Sequence, residues 1–302
     1  MKKILLFLVL LAGIAHAETK VLCTTLPMTI LTKAVVHKVP GYTVSQMLPA
    51  SLGCPHDYAL SPTDMRKLSQ ADIIVLNGLG MEDFLKKARP RVSKKALVID
   101  SSNDVKGVLV THGEHDHGAH SHDHGTCSHA KNEHLFAGPA TAAGVVQNIA
   151  EALAKRDPGS AAKFRVNASR YAEELKRIAA EYAAFGKTIP ASRRKIAVQH
   201  GIFDYTAHAA GLEVAAYLQA HTGSEPSAAE IRNFIQELKK EKIALILAEQ
   251  DYPARVTNLI SRETGIPVLT LPVYPEQHSS DPEAYLHVFR KNLAKLKAFY
   301  RK

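Results

Sequence analysis

The stretch "SPTDMRKLSQADIIVLNG", residues 61–78, contains one unit of the pattern that decides the fold. Ser61, Pro62 and the acid at Asp64 predict the start of a helix, and the apolar run in "ADIIVLNG" predicts a buried strand after it. The same alternation fills residues 20–100, from the strand pattern "KVLCTT" to the strand pattern "ALVID". Alternation of this kind is typical of a parallel sheet with helices on its faces.

The alternation returns after residue 195 with the strand patterns "KIAVQ", "IALILAE" and "PVLTL". Between the two halves, residues 158–188 are rich in Ala, Glu, Lys and Leu and predict one helix of about 28 residues, which is about 42 Å long at 1.5 Å per residue. We therefore predict an α/β protein of two lobes, each a mostly parallel sheet flanked by helices, joined by one long rigid helix. The expected parts are an N-terminal lobe at 18–156, a connecting helix at 157–188 and a C-terminal lobe at 189–302.

The first 17 residues have the pattern of a cleaved secretory signal: two lysines, a short apolar core and small residues at Ala15 and Ala17. We expect cleavage near Ala17 and an extracytoplasmic, periplasmic or surface-exposed, mature protein. No later segment approaches about 18 uninterrupted apolar residues, the length that predicts a transmembrane helix. The formal net charge is +9, and it is spread along the chain, which argues against a nucleic-acid surface.

The three cysteines, Cys23, Cys54 and Cys127, would lie in an oxidising compartment, so we expect one disulfide and one remaining thiol. Their spacing does not select the pair. Lipid anchoring at Cys23 is disfavoured, because Leu22 precedes it where lipidation signals place a small residue.

A histidine-rich tract occupies residues 111–131, within "THGEHDHGAHSHDHGTCSHAKNEH". This segment has almost no apolar surface to offset the entropy of ordering it, so we expect a loop in the N-terminal lobe. Neutral imidazole is a common ligand of transition metals, and the composition therefore indicates metal binding, with zinc, copper and nickel all open.

Several metal-binding side chains follow predicted strands. His200 comes directly after "KIAVQ", Glu249 closes "IALILAE", His56 lies in a loop after the strand pattern "YTVSQML", and His134 precedes a helix opened by Pro139. Ligands of open α/β sheets bind beyond the carboxyl ends of the strands. Four side chains converging there from two lobes would form a tetrahedral metal site in the cleft between them.

These motifs resemble the metal-binding solute-binding proteins of bacterial ABC transporters, and among them the zinc-uptake type. "GCPHDYALSPTDMRKLSQADIIVLNGLGMEDFL" resembles the segment P-H-x-Y-x-x-S-P-x-D followed by N-G-x-x-x-E. "HLFAGP" resembles H-x-W-x-x-P with Phe136 in place of tryptophan, and "VQHGIFDYTAHAAGL", "SEPSAAEI" and "SRETGIPV" complete the series. The resemblance covers nearly the whole mature chain.

The resemblance implies that His56, His134 and His200 bind a transported Zn²⁺, which the protein would deliver to an ABC permease as a monomer, without catalysis. It also implies that the histidine-rich tract collects metal beside the main site. The family usually places an aspartate in T-L-D-P as fourth ligand, but Pro272 follows Thr270 and Leu271 here. The fourth ligand is therefore open among the groups within sequence reach: Glu249, Glu276, His278 or water, with Cys54 less favoured.

Three imidazoles favour zinc over manganese, which recruits more carboxylate ligands. They also describe a catalytic zinc with an open position, so a secreted zinc-dependent hydrolase is the alternative function. No H-E-x-x-H pair or nucleophile elbow supports that alternative. Asp204 and His208 follow His200 at helical spacing; we expect both on an exposed face, with orientation of His200 as the alternative role.

Overall fold

A computed structural model describes residues 18–49, 52, 58–110, 131–219 and 225–301. Residues 1–17, residues 53–57 with Cys54 and His56, and residues 111–130 of the histidine-rich tract lie outside these ranges. The described part contains the following strands and helices: β1 Thr19–Cys23, α1 Leu26–Val35, β2 Tyr42–Gln46, α2 Pro62–Gln70, β3 Ile73–Leu76, β4 Leu97–Asp100, α3 Pro139–Arg156, α4 Ala161–Gly186, β5 Lys195–Val198, α5 Asp204–Ala209, β6 Glu213–Tyr217, α6 Ala228–Lys240, β7 Ile246–Glu249, α7 Ala254–Thr264, β8 Val268–Leu271 and α8 Pro282–Tyr300.

The strands form two four-stranded sheets with one topology. The first sheet has the order β2-β1-β3-β4 and the second has β6-β5-β7-β8. Every pairing is parallel; Val21, for example, pairs with Val44 on one side and Ile73 on the other. The predicted fold class, two lobes of parallel sheet flanked by helices, is confirmed.

The helix that follows the second strand of each sheet begins at a capping box. In α2 the Ser61 hydroxyl accepts from the Asp64 backbone N–H, and the Asp64 carboxylate accepts from the Ser61 backbone N–H. Ser227 and Glu230 make the same reciprocal pair at α6. Each box satisfies backbone donors that have no partner inside the helix, which explains why these helices begin where they do.

The long helix α4 lies within the segment predicted to connect the lobes and is 26 residues long. It is about 39 Å long at 1.5 Å per residue. Its apolar side packs on α3 and α8. Two buried tyrosines add hydrogen bonds: Tyr171 donates to the Pro282 carbonyl and Tyr182 donates to the Phe289 carbonyl, both at 2.8 Å. One apolar core accordingly runs from the first sheet through these helices to the second sheet. Across the described helices, none combines the length and the apolar character that a membrane crossing needs.

Candidate metal centre

His200 lies at the carboxyl edge of the second sheet. Strand β5 is buried from Ile196 onward and pairs with β7, and Gln199 continues this ladder by donating its N–H to the Leu247 carbonyl at 2.8 Å. A short 3-10 helix, Gly201–Phe203, starts directly afterwards, so the chain turns at His200. The side chain is held in the interior, since only 1% of His200 is exposed.

His134 reaches the same place from the segment before α3. It precedes a 3-10 helix, Leu135–Ala137, and Pro139 then opens α3 as the sequence predicts. His134 is 6% exposed. Gly138, between the two helices, permits close contact with the second lobe, because a Cβ there would lie 2.9 Å from the Cβ of Tyr205.

The structure brings His134 and His200 together. Their ring centroids are 5.2 Å apart and the rings are nearly perpendicular, at 80°. Two buried imidazoles from different halves of the chain thus meet edge to face at the lobe interface. Buried imidazoles at this separation are suited to share one transition-metal ion.

Among the candidate fourth ligands in the described ranges, Glu249 is in contact with His200. Its Oε1 lies 3.4 Å from Nδ1 of His200, and its side chain is 25% exposed. Two ligand atoms about 2.0 to 2.1 Å from a tetrahedral zinc are about 3.3 Å apart, so the separation suits joint ligation as well as a direct contact. Burial, with a smaller contribution from Asp251, raises the pKa of Glu249 to about 7.

The other candidates lie elsewhere. Glu276 is 81% exposed and pairs with Lys291 at 2.9 Å. His278 packs against Tyr274, with ring centroids 6.4 Å apart, and Tyr274 in turn stacks on Phe136. Within the described ranges, no three His, Cys, Asp or Glu side chains form a complete metal site. His56 and Cys54 lie outside those ranges, so His134, His200 and Glu249 are a partial set.

Three further polar residues at this interface were not identified from the sequence. Glu133 is buried, with Oε1 3.8 Å from Nδ1 of His134. Asn132 is also buried and accepts a hydrogen bond from the His134 backbone N–H. Asn77, after β3, donates to the Glu133 carbonyl at 2.9 Å. Asn132 and Glu133 stand immediately before the predicted ligand His134. This position in the sequence could have identified them as residues of the site.

The expectation for Asp204 was wrong, whereas that for His208 is confirmed. His208 is exposed, but Asp204 is only 7% exposed. The carboxylate accepts from Tyr217 Oη at 3.1 Å and from Asn132 Nδ2 at 2.9 Å. Burial raises the pKa of Asp204 to about 6. Helix α5 has only six residues and begins at Asp204, so its first turn faces the interface rather than solvent.

Cys23 is a free thiol in the structure. It ends β1, is fully buried and lies 3.4 Å from the Thr32 hydroxyl. Burial raises the pKa of the thiol to about 12, which makes it unreactive. Cys54 and Cys127, the other members of the expected cysteine set, lie outside the described residues.

Two parallel-sheet lobes bridged by a long helix, with imidazoles from both halves meeting at their interface, define a metal-binding solute-binding protein of the ABC-transporter class. A family model supports this class: the ZnuA model, described as zinc-uptake complex component A, periplasmic, matches residues 21–299. The chain belongs to this zinc-uptake family, as its motifs predict.

Two curated relatives and one solved structure illustrate the similarity. Zinc-binding protein AdcA of Streptococcus pyogenes is 28% identical over 94% of this chain and 56% of its own length. The high-affinity zinc uptake system protein ZnuA of Bacillus subtilis is 28% identical over 92% of this chain and 86% of its own length. The chain thus spans little more than half of AdcA. The solute-binding protein FpvC of Pseudomonas aeruginosa with Ni²⁺ has a TM-score of 0.77 at 25% identity, covering 94% of this chain and 97% of that one.

Proposed function

We propose that this protein captures Zn²⁺ outside the cytoplasm and delivers it to the permease of an ABC transporter. The observation that carries the proposal is the buried pair His134 and His200, whose rings meet 5.2 Å apart at the lobe interface. The family match and the zinc-related names of the relatives support the same metal. The role needs no bond-making chemistry, and membership of an uptake family leaves the hydrolase alternative without support.

In this proposal His134 and His200 are ligands, His56 is the third ligand, and Glu249 is the preferred candidate for the fourth position. Glu249 is preferred over Glu276 because it contacts His200, whereas Glu276 pairs with Lys291 at the surface. A pKa near 7 means that bound metal, a cation, would favour the ionised carboxylate of Glu249 and displace its proton.

The nature of the donors favours zinc over manganese. A set rich in imidazole suits zinc, copper and nickel, whereas manganese prefers carboxylate, carbonyl and water oxygens. The fold itself does not select the metal, since FpvC has been solved with both Ni²⁺ and Mn²⁺. Selection of zinc would therefore rest on ligand type and metal supply.

Metal analysis by native mass spectrometry, followed by calorimetric titration of the metal-free mature protein, tests the proposal. We expect one tightly bound zinc, weaker manganese binding, and thermal stabilisation by zinc of about 4 kcal/mol at a thousandfold excess over Kd. Co-purification with a permease and loss of growth at low zinc in a deletion strain test delivery. Tight binding of manganese with none of zinc would reject zinc as the cargo, and metal-dependent ester or phosphate hydrolysis would favour the enzyme alternative.

A further inference from the structure

The side chain of Asn132 connects the His134 imidazole to the turn that follows His200. Asn132 is fully buried. Its Oδ1 accepts the backbone N–H of His134 at 2.9 Å and lies 3.1 Å from Nδ1 of the same imidazole. Its Nδ2 donates to the Gly201 carbonyl and to Oδ2 of Asp204, both at 2.9 Å. One amide therefore contacts His134 itself and the residue that follows His200.

The chemistry of these partners determines which way the amide faces. The Gly201 carbonyl can only accept a hydrogen bond, so the NH₂ group must face it. The backbone N–H of His134 can only donate, so the amide oxygen must face that side. The opposite orientation, with the amide oxygen and nitrogen exchanged, is thus excluded by the partners on both sides.

The orientation of the amide decides the tautomer of His134. An amide oxygen is an acceptor, so the ring nitrogen 3.1 Å from it must carry the proton. In the neutral imidazole, a proton on Nδ1 makes Nε2 the lone-pair nitrogen. Metal-binding imidazoles usually donate their second N–H to an oxygen in this way, which fixes the ring and raises its basicity.

We infer that Asn132 is a positioning residue: it holds His134 as the Nδ1–H tautomer and fixes its ring against the turn that carries His200. The inference rests on the proposed function for its meaning in metal capture, although the tautomer itself does not depend on metal. Because the amide holds the His134 ring, metal would meet an imidazole that is already oriented and would not have to order it at an entropic cost.

The surroundings of Asn132 hold the amide in place. Its carbonyl accepts from Tyr205 Oη at 2.7 Å, and its N–H donates to the Leu109 carbonyl at 2.8 Å. A Cβ at Gly201 would lie only 3.2 Å from Nδ2 of Asn132, so a glycine at 201 permits the close approach. Asp204, which receives the second N–H, is itself held by Tyr217. Side chain and main chain of Asn132 are therefore both fixed.

Nitrogen NMR of the metal-free full chain labelled with ¹⁵N-histidine measures the tautomer directly. The His134 signals are assigned as those lost in His134→Gln. We expect the proton of the neutral ring on Nδ1 in the wild type, and loss of that preference in Asn132→Ala. A neutral His134 with its proton on Nε2 in the wild type would overturn the inference, and this arm needs no Asn132 variant to fold.

The zinc affinities of two asparagine variants test whether Asn132 contributes to metal binding. We expect Asn132→Ala to weaken zinc binding about 10- to 100-fold, the usual effect of losing a partner that orients a ligand. The matched control is Asn167→Ala, because Asn167, on α4, donates to the Val35 and His37 carbonyls at the end of α1, at 2.9 and 2.8 Å. The control should change affinity less than twofold.

Equal zinc affinities of the Asn132 and Asn167 variants would overturn the positioning role. A wild-type protein that bound no zinc would instead reject the proposed function, and the spectrum of the metal-free protein would still decide the tautomer. The two failures are therefore distinguishable.

Discussion

The two sheets share one strand order and one direction of pairing, yet their carboxyl edges carry different polar groups. At the edge of the first sheet, the buried Glu82 carboxylate accepts hydrogen bonds from the Thr24 hydroxyl and from the backbone N–H groups of Asn77 and Gly78, at 2.7 to 3.0 Å. This carboxylate holds the loop after β3 in its own lobe.

At the edge of the second sheet, His200 follows the central strand β5 and Glu249 ends the central strand β7, and their side chains are in contact. The shared topology therefore provides a carboxyl edge in each sheet. The residue types at that edge decide whether it stabilises loops or binds metal. One edge stabilises its own loops, whereas the other presents metal-binding groups. His134 completes the pair from a segment beyond β4, outside the repeated pattern.

The largest expected effect tests the edge that presents metal-binding groups. His200→Ala should lower zinc affinity by orders of magnitude and abolish the zinc-induced rise in Tm, because the remaining ligands no longer complete the coordination shell. Calorimetric titration and thermal unfolding measure both quantities. The control is His208→Ala, an exposed histidine eight residues later, which should bind zinc as the wild type does. Intact zinc binding in His200→Ala would show that the site lies elsewhere.

The next largest effect is expected from substitution of Glu249, which lies at the same carboxyl edge of the second sheet. Glu249→Gln retains the size of the side chain but loses its charge, and we expect zinc affinity to fall about 10- to 100-fold whether Glu249 binds the metal or orients His200. Competition titration with a zinc chelator measures the change. Glu276→Gln is the matched control, since Glu276 pairs with Lys291 in solvent. A larger loss in the Glu276 variant would reverse the assignment.

The fold was predictable because its signals are local and repeated. Each helix start and each buried strand has a pattern within about ten residues, such as the capping box of Ser61 and the run "IIVL" of β3. The convergence of His134 and His200 could be predicted because His200 follows a strand and His134 precedes a helix. Both features can be read along the chain without knowing which segments meet in space.

The network around the site was not predictable for the opposite reason. Asn132 and Asp204 are 72 residues apart, and their bond exists only because two lobes pack together. Asn and Asp are usually exposed, so composition favours the surface for each of them. The choice of Glu249 over Glu276 also needed the structure, since both are acids within reach along the sequence but only one contacts His200.

A smaller effect, on the free energy of unfolding, is expected from substitution of Glu82 at the carboxyl edge of the first sheet. Glu82→Gln should lower the free energy of unfolding by about 1 to 3 kcal/mol, because one buried donor loses its acceptor. Burial raises the pKa of Glu82 in the folded protein, so the folded state binds this proton more tightly than the unfolded state does. The stability due to Glu82 is therefore greatest at low pH and declines as pH rises through the raised pKa. Urea unfolding of the metal-free protein at a series of pH values measures it.

The control for this pH dependence comes from the second lobe and has the opposite sign. Hydrogen bonds from Ser227 lower the pKa of the exposed Glu230, so its contribution is present at neutral pH and is lost as pH falls. The cost of Glu82→Gln should shrink as pH rises, whereas the cost of Glu230→Gln should grow. If the cost of Glu82→Gln also grew with pH, the three hydrogen bonds would outweigh burial at Glu82.

The smallest effects compare the two capping boxes. Ser61→Ala and Ser227→Ala should each lower the free energy of unfolding by about 1 kcal/mol, the usual cost of removing a serine N-cap. We expect the greater loss at Ser61, because its partner Asp64 is only 3% exposed and also accepts from Tyr58 Oη, whereas Glu230 is exposed. Urea unfolding of both variants at neutral pH measures the difference. Equal losses would mean that solvent replaces the cap as easily at α2 as at α6, and that burial of Asp64 adds nothing to the strength of its box.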